Sequence, residues 1–236
     1  MPVGASANWQ TVTVGQAKIP VIAFRCRLCS KPIKKRFAEI DGHCIDCPGK
    51  VGFGHDGIAA AWSLTVYLDS HPDFPSTGVV RASKNDHGLT VEMMRAAAKE
   101  MTKNWPWNSW QPDVIVPCPS SKVRTFPRSF ALGAGVSEVL QRPLADMLVR
   151  SPAVAPRSSL TGKRPASSFE DLHDQACIEA QGVLAGHNVL LVDDLLTTGV
   201  TSAASAMVLR QAGAGDIRLL TFARYTDKHN LEGYCD

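Results

Sequence analysis

The sequence predicts an α/β fold with a parallel sheet, preceded by a small module that contains four cysteines. Near the C-terminus, an apolar run at residues 189–192 is followed by a helical pattern at 201–212 and a second apolar run at 217–222. Strand, helix and strand in this order form a right-handed βαβ unit, and such units build parallel sheets. The second observation is a cluster of four cysteines at residues 26–47, which needs an explanation of its own.

Three parts of the chain differ in composition. Residues 1–20 show neither helical nor strand periodicity over any length, and we expect a loose arm or one edge strand. Residues 21–50 hold the cysteine cluster and end in a turn at Pro48-Gly49. Residues 51–236 should form the α/β domain.

Further elements of the α/β domain follow from apolar periodicity and from breakers such as proline and glycine. We predict, in chain order, a buried helix at residues 57–68, a strand at 78–81, a helix with Thr90 as N-cap, a strand at 113–116, a helix at 129–140, a strand at 144–149 and a mobile loop at 151–168. Three tryptophans, Trp105, Trp107 and Trp110, should pack at an element junction rather than stack on nucleobases.

Composition places the chain among globular proteins. It has 236 residues, 44% of them hydrophobic and 20% charged, so it can bury one large core or one core with a small satellite. No apolar stretch approaches the roughly 20 residues that cross a bilayer, and the N-terminus carries no secretion signal. We therefore expect no membrane span and a cytoplasmic protein. The net charge of +3 suits anionic ligands but is low for a dedicated nucleic-acid binder.

The stretch at residues 189–201 is the most informative part of the sequence. Its four apolar residues predict a strand buried on both faces, and Asp193 and Asp194 come where that strand emerges at its carboxyl end. The turn that follows consists of Thr197, Thr198, Gly199, Val200 and Thr201. Its glycine allows close backbone approach, and its hydroxyls lie beside the free N–H groups of the next helix, which suits a phosphate dianion. We expect this turn to lie at the surface.

The paired aspartates would repel a phosphate if they pointed at it. Asp193 and Asp194 are better suited to accept hydrogen bonds from sugar hydroxyls nearby. A sugar phosphate would therefore suit both the aspartates and the turn that follows them. The alternative is an ordinary strand-to-helix turn with an N-cap threonine and two solvated aspartates.

This stretch resembles, position for position, the signature of type I phosphoribosyltransferases. The resemblance implies that Asp193 and Asp194 hold the ribose 2- and 3-hydroxyls of 5-phosphoribosyl 1-pyrophosphate (PRPP), while residues 197–201 cradle its 5-phosphate. The order of features over about residues 24–224 is similar to the ComF-type subgroup associated with competence. That likeness implies a parallel-sheet type I phosphoribosyltransferase core with a small N-terminal zinc-ribbon-like module.

The resemblance also assigns residues outside the phosphate turn. The run Val116-Pro117-Cys118-Pro119-Ser120-Ser121-Lys122 lies where the family has its pyrophosphate loop, so Ser120 and Ser121 would bind substrate and Lys122 would act in catalysis. Lys84 is similar to a lysine that the subgroup keeps between its cysteine module and its core. Mg²⁺ would bridge pyrophosphate and ribose oxygens, assisted by loop arginines such as Arg157 and Arg164.

One segment departs from the subgroup pattern. Where the subgroup has an Arg-Gly-Phe-Asn-type run, this chain has Arg128-Ser129-Phe130-Ala131, which bears on the acceptor side of the site. Lys122, Arg124 and Arg128 have an alternative interpretation as solvated surface charges.

The four cysteines predict a structural zinc site. Two CxxC pairs separated by fourteen residues, Cys26 with Cys29 and Cys44 with Cys47, have the spacing of a zinc ribbon or knuckle. Four thiolate ligands leave no open position, so Zn²⁺ should be structural, and needed by the module but not by the α/β domain. His43 should be exposed. The basic residues at 31–36 could contact nucleic-acid phosphates or form a solvated face.

Two functions remain open from the sequence. The first is an enzyme that transfers the phosphoribosyl group of PRPP to an unknown acceptor with release of pyrophosphate. The second is a non-catalytic module that senses the sugar phosphate in nucleic-acid metabolism or DNA uptake. In that case the zinc module would contact nucleic acid or a DNA-processing partner protein.

Overall fold

The structure of the protein, a computed structural model, describes residues 10–33, 42–44, 46–47, 50–71, 73–82, 87–120, 127–150, 170–171 and 176–226. These residues form the strands β1 (Thr11–Val14), β2 (Ala17–Pro20), β3 (Ala60–Tyr67), β4 (Val114–Pro117), β5 (Leu148–Arg150), β6 (Ile178–Ala180), β7 (Val189–Leu196) and β8 (Ile217–Tyr225). Their helices are α1 (Pro75–Ala82), α2 (His87–Asn104), α3 (Arg128–Leu140) and α4 (Val200–Gln211).

A four-stranded parallel sheet forms the centre of the fold. Its strand order is β3-β8-β7-β4, and all three neighbouring pairs are parallel. The predicted βαβ unit is confirmed as β7, α4 and β8. Because all four strands run the same way, their carboxyl ends meet at one edge, where open α/β sheets bind ligands.

Both faces of the sheet are covered, which explains the continuous apolar runs of its strands. In β7, Leu190 and Val192 face a core that includes residues of α2 and α3. Val189 and Leu191 alternate with them and face a second core built with α4. The three tryptophans belong to the first core, and each is only 8% exposed. Their predicted packing role is therefore confirmed.

Two elements differ from prediction. Residues 57–68, predicted as a buried helix, contain β3, which pairs with β8 over its whole length. A short apolar run fits a buried strand and a buried helix equally well, and pairing with β8 decides for the strand. Residues 78–81, predicted as a strand, belong to α1, which begins at Pro75. Proline is favoured at the first helical position, and the Ser76 and Thr77 hydroxyls hydrogen-bond to carbonyls at the end of β3.

Boundaries of two further elements also shift. The helix predicted from Thr90 begins at His87, so Thr90 lies inside α2 and is not its N-cap. The strand predicted at residues 144–149 is shorter: β5 covers Leu148–Arg150 and pairs with β6, while Leu144 makes an isolated bridge to Ile115.

Residues 11–20, in the segment expected to be a loose arm or one edge strand, form a β-hairpin. β1 and β2 pair antiparallel around a turn at Gly15, whose φ is +60°. Val14 and Ile19 are fully buried in the same core as Trp62 of β3. The hairpin therefore packs as part of the main fold.

No helix among the described residues is both long and apolar enough to span a membrane. The mobile loop predicted at 151–168 lies outside the described residues, as do Lys84, Ser121, Lys122 and Arg124.

Candidate active site

The paired aspartates lie on the carboxyl half of β7. The strand continues to Leu196, so Asp193 and Asp194 are its fifth and sixth residues rather than the start of a loop. Both are partly buried. They stand at the edge where all four parallel strands end, as the sequence predicts.

The phosphate turn connects β7 to α4 and begins at Thr197. Gly199 has φ 85° and ψ 3°, the left-handed conformation that glycine adopts without strain. Gly199, at the N-cap position of α4, has no side chain to cap the helix, and the Val200 amide makes only a long hydrogen bond, 3.5 Å, to the Thr198 hydroxyl. The N–H groups at the start of a helix have no intrahelical partner, so this end of α4 is suited to an anion.

The turn is only partly at the surface, where we expected it: Thr197, Thr198, Val200 and Thr201 are partly exposed, but its glycine is not. Gly199 is buried, and a Cβ atom built on it would lie 3.0 Å from Cζ of Phe53. The sequence could not show this contact, because Phe53 is far away along the chain.

Arg128 forms an ion pair with Asp194. Its Nη2 lies 2.5 Å from Asp194 Oδ2, with the two side chains 10% and 18% exposed, and its Nη1 donates to the Val80 carbonyl at 2.9 Å. Arg128 is therefore not a solvated surface charge. Asp194 Oδ2 is buried, and the guanidinium of Arg128 is its partner among the described residues.

Asp193 has a different electrostatic environment. Burial, and then the negative charge of Asp194, raise the pKa of the Asp193 carboxyl well above its usual range. Its Oδ1 accepts a hydrogen bond from the Asp194 amide at 2.9 Å. The two neighbouring carboxyls are thus unequal: Asp194 is matched by a guanidinium, whereas the pKa of Asp193 is raised.

Arg224 binds the backbone where β7 ends and the phosphate turn begins. It lies near the end of β8, is 8% exposed, and donates from Nη1 to the carbonyls of Leu196 (2.7 Å) and Thr197. Burial lowers the pKa of Arg224. In the sequence, Arg224 is only a cation at the end of an apolar strand. That pattern is too common to identify Arg224 as a site residue.

Arg150, in β5, links the two loops of the site. Its Nε donates to the Ser120 carbonyl at 3.0 Å, and its Nη2 donates to the Thr201 hydroxyl at 3.2 Å. Ser120 was predicted at the pyrophosphate loop and Thr201 at the phosphate turn, and the structure brings both to one guanidinium. Sequence reasoning missed Arg150 because it precedes the predicted loop at 151–168 and has no motif.

The four cysteines converge as predicted. Their sulfur atoms all lie within 4.8 Å of one another, and all four residues are buried. The individual Sγ–Sγ distances are 3.5 Å for Cys26–Cys47, 3.6 Å for Cys29–Cys44 and 3.4 Å for Cys44–Cys47. A tetrahedral ion with bonds of about 2.3 Å places its sulfurs at about this separation, so the set fits zinc.

The four thiols also interact with one another. Hydrogen bonds from the thiols of Cys29, Cys44 and Cys47 lower the pKa of Cys26, whereas hydrogen bonds within the same set raise the pKa of Cys29 and Cys47. Lys31 pairs with Asp46 at 2.6 Å and so ties the two cysteine loops together. His43 is exposed, as predicted. The other cations of the basic run lie outside the described residues, and its nucleic-acid contact stays a prediction.

A parallel sheet with an acidic strand end, followed by a left-handed glycine and a helix start suited to an anion, defines the protein as an α/β protein of the ligand-binding type. Sequence comparison identifies the family: the model of the phosphoribosyl transferase domain matches residues 85–233, and the chain belongs to that family. It is a phosphoribosyltransferase. The match begins after the cysteine module, the hairpin and β3.

Curated relatives agree with this assignment. The chain is 32% identical over 174 residues to the adenine phosphoribosyltransferase of Parasynechococcus marenigrum (strain WH8102), covering 72% of this chain and 89% of the relative. It is 28% identical over 176 residues to that of Cenarchaeum symbiosum (strain A), covering 72% and 94%. The resemblance to the ComF-type subgroup stays a prediction beside these matches.

A solved structure, adenine phosphoribosyltransferase from Saccharomyces cerevisiae, is 21% identical to this chain. It covers 63% of this chain and 73% of its own, with a TM-score of 0.37. The family assignment therefore rests on the sequence matches.

Proposed function

We propose that the protein binds PRPP at the β7–α4 edge and transfers its phosphoribosyl group to a nucleobase. One observation carries the proposal: the same β7–α4 connection presents two carboxyls, a left-handed glycine and an uncapped helix start. Asp193 and Asp194 accept hydrogen bonds from the ribose hydroxyls, and residues 197–201 receive the 5-phosphate. The curated relatives are adenine phosphoribosyltransferases, so adenine is the first acceptor to test.

In the reaction, the bond from C1 of the ribose to pyrophosphate breaks and a nitrogen of the base bonds to C1. The base loses the proton of that nitrogen, and pyrophosphate leaves. Ser120 and Ser121 bind the pyrophosphate, and Lys122 neutralises its charge with help from loop arginines such as Arg157 or Arg164. Lys84 is proposed as a further substrate contact. Arg150 positions the two loops, because it binds the Ser120 carbonyl and the Thr201 hydroxyl at once.

Two metals fit the residues present. Asp193 and Asp194 offer carboxyl oxygens, the kind that Mg²⁺ prefers, but Asp194 Oδ2 is paired with Arg128, so ligand and water oxygens would supply most of the contacts of the ion. When bound, magnesium neutralises charge on the departing pyrophosphate. Cys26, Cys29, Cys44 and Cys47 would hold one structural Zn²⁺.

Pyrophosphate release tests this function. The protein is incubated with PRPP, magnesium and one base at a time, with adenine, guanine, hypoxanthine, uracil and orotate as the panel. We expect release that requires one class of base, and none from the Asp193→Asn, Asp194→Asn double variant. Binding of PRPP without release for any base would favour the sensing function instead.

A further inference from the structure

A lysine of the cysteine module lies beside the phosphate turn. Lys50 comes three residues after the last cysteine, and its amide donates to the Cys47 carbonyl at 3.0 Å. Its Nζ lies 3.5 Å from the point where a Cβ on Gly199 would stand. The ammonium group therefore reaches the glycine at which the backbone turns toward α4.

Phe53 holds this lysine in place. The Lys50 Nζ stands 4.4 Å from the centre of the Phe53 ring, and the Phe53 amide donates to the Lys50 carbonyl at 3.1 Å. Phe53 packs against the cysteine cluster and also against the sheet core that includes α4. Residues 50–53 are thus wedged between the cysteine cluster and the phosphate turn.

The charge of Lys50 has no carboxylate partner among the residues that the structure describes. Its side chain is partly buried, and no ion pair or hydrogen bond of its Nζ is formed there. The neighbouring charged group on the turn side is a second cation, Arg224, which binds the carbonyls of Leu196 and Thr197. Two cations at one uncapped helix start leave a positive site that an anion would complete.

We propose that Lys50 is a direct ligand of the 5-phosphate, so that the cysteine module supplies part of the substrate site. This inference rests on the proposed function, because it names a further residue for the same phosphate. It also assigns a binding role to a residue that precedes the family match at 85–233. The competing explanation is that Lys50 neutralises the thiolates of a metal-loaded cluster.

The experiment compares Lys50→Met with Lys31→Met by calorimetry in the zinc-loaded full chain. Methionine keeps an apolar stem over Phe53 but removes the charge. Lys31 is a matched control, since it belongs to the same module but pairs with Asp46. Ribose 5-phosphate, PRPP and pyrophosphate are titrated separately, and zinc content is measured for each variant. Lys50→Gln is studied in parallel, in case methionine disturbs folding.

We expect Lys50→Met to weaken ribose 5-phosphate and PRPP by the same factor, about tenfold or more, as for loss of a charge-assisted hydrogen bond. Pyrophosphate affinity and zinc content should not change, and Lys31→Met should bind all three ligands as the wild type does. Equal ribose 5-phosphate affinity in folded, zinc-loaded Lys50 variants would overturn the inference. A loss of zinc with unchanged affinity per loaded chain would also overturn it and assign Lys50 to the cluster.

The same titrations distinguish failure of this inference from failure of the proposed function. If the wild type binds PRPP and the Lys50 variants bind it equally well, only the role of Lys50 is contradicted. Wild-type protein that binds neither PRPP nor ribose 5-phosphate contradicts the proposed function itself.

Discussion

Asp193 and Asp194 are adjacent in sequence but differ in their surroundings. Asp194 faces Arg128, whereas Asp193 is partly buried beside a like charge, and both effects raise its pKa. The motif predicts the pair, because two carboxylates at a strand end before a small-residue turn are informative in one sequence. It could not predict Arg128, Arg150 or Arg224, which reach the site only through the fold.

The raised pKa of Asp193 predicts how stability depends on pH. An ordinary unfolded aspartate has a pKa of about 3.9, and the folded value lies above it, so the native state binds more protons in between. The stability that the protonated carboxyl contributes is complete below about pH 4 and is lost as pH rises toward the folded pKa. Asp193→Asn should therefore become increasingly stable relative to wild type across this window.

Urea denaturation at a series of pH values measures this difference. Asp73→Asn is the control, because Asp73 is exposed and lies outside the site. If the stability of Asp193→Asn relative to wild type falls as pH rises, the environment of Asp193 lowers its pKa instead, which would contradict this prediction.

Gly199 should not tolerate a side chain. Gly199→Val places a β-branched residue at φ 85° and pushes its Cβ to 3.0 Å from the Phe53 ring. We expect loss of phosphate binding, because the turn must move away from the ligand. We also expect the free energy of unfolding to fall by about 1–3 kcal/mol from backbone strain.

Gly182→Val separates these two effects. Gly182 also has a positive φ, 98°, but a Cβ there would meet nothing within 4 Å. This control should be strained yet bind ribose 5-phosphate normally in calorimetry. If Gly199→Val bound the ligand as well as Gly182→Val did, the phosphate cradle would lie elsewhere.

At the level of elements, local pattern predicted the second half of the chain better than the first. β7, α4 and β8 have unambiguous apolar runs and a glycine after the helix, so their order and type are correct. β3 was predicted as a helix because twelve mostly apolar residues have no decisive period, and only its pairing with β8 makes it a strand. The hairpin was missed because β1 and β2 are four residues each and each buries only one residue fully, Val14 and Ile19.

The cysteine module is joined to the sheet more closely than the sequence suggests. The Ser63 amide of β3 donates to the Ser30 hydroxyl at 2.7 Å, and the Ala61 amide donates to the Arg27 carbonyl at 3.0 Å. The boundary near residue 50 stays a prediction, but backbone hydrogen bonds cross it. The expectation that the metal serves the module alone is therefore revised.

Removal of the metal should destabilise the whole fold. We expect one zinc per purified chain by elemental analysis, and none in a Cys26→Ser, Cys44→Ser variant. Chelation should lower the Tm of the single unfolding transition, because β3 loses support from residues 27–30. Cys177→Ser, at a cysteine outside the cluster, is the control. Zinc-free purified protein, or a Tm that chelation leaves unchanged, would contradict this account.

At the level of the whole molecule, the family domain does not stand alone. The match at 85–233 covers β4, β7, β8 and α4, whereas β3 and the hairpin that packs on it come earlier. β3 is the outer neighbour of β8 in the sheet, and Val14 and Ile19 share its core. The segment before the family match thus completes the sheet that positions the aspartates.

The central claim is that Asp193 and Asp194 bind PRPP at the end of β7, and calorimetric titration with PRPP tests it most directly. Wild-type protein should bind PRPP in the presence of magnesium. The Asp193→Asn, Asp194→Asn variant should keep the wild-type circular dichroism spectrum but lose most of that affinity, because amides cannot replace charged acceptors. PRPP that fails to bind the wild type, or that binds the folded double variant with unchanged affinity, would contradict the claim.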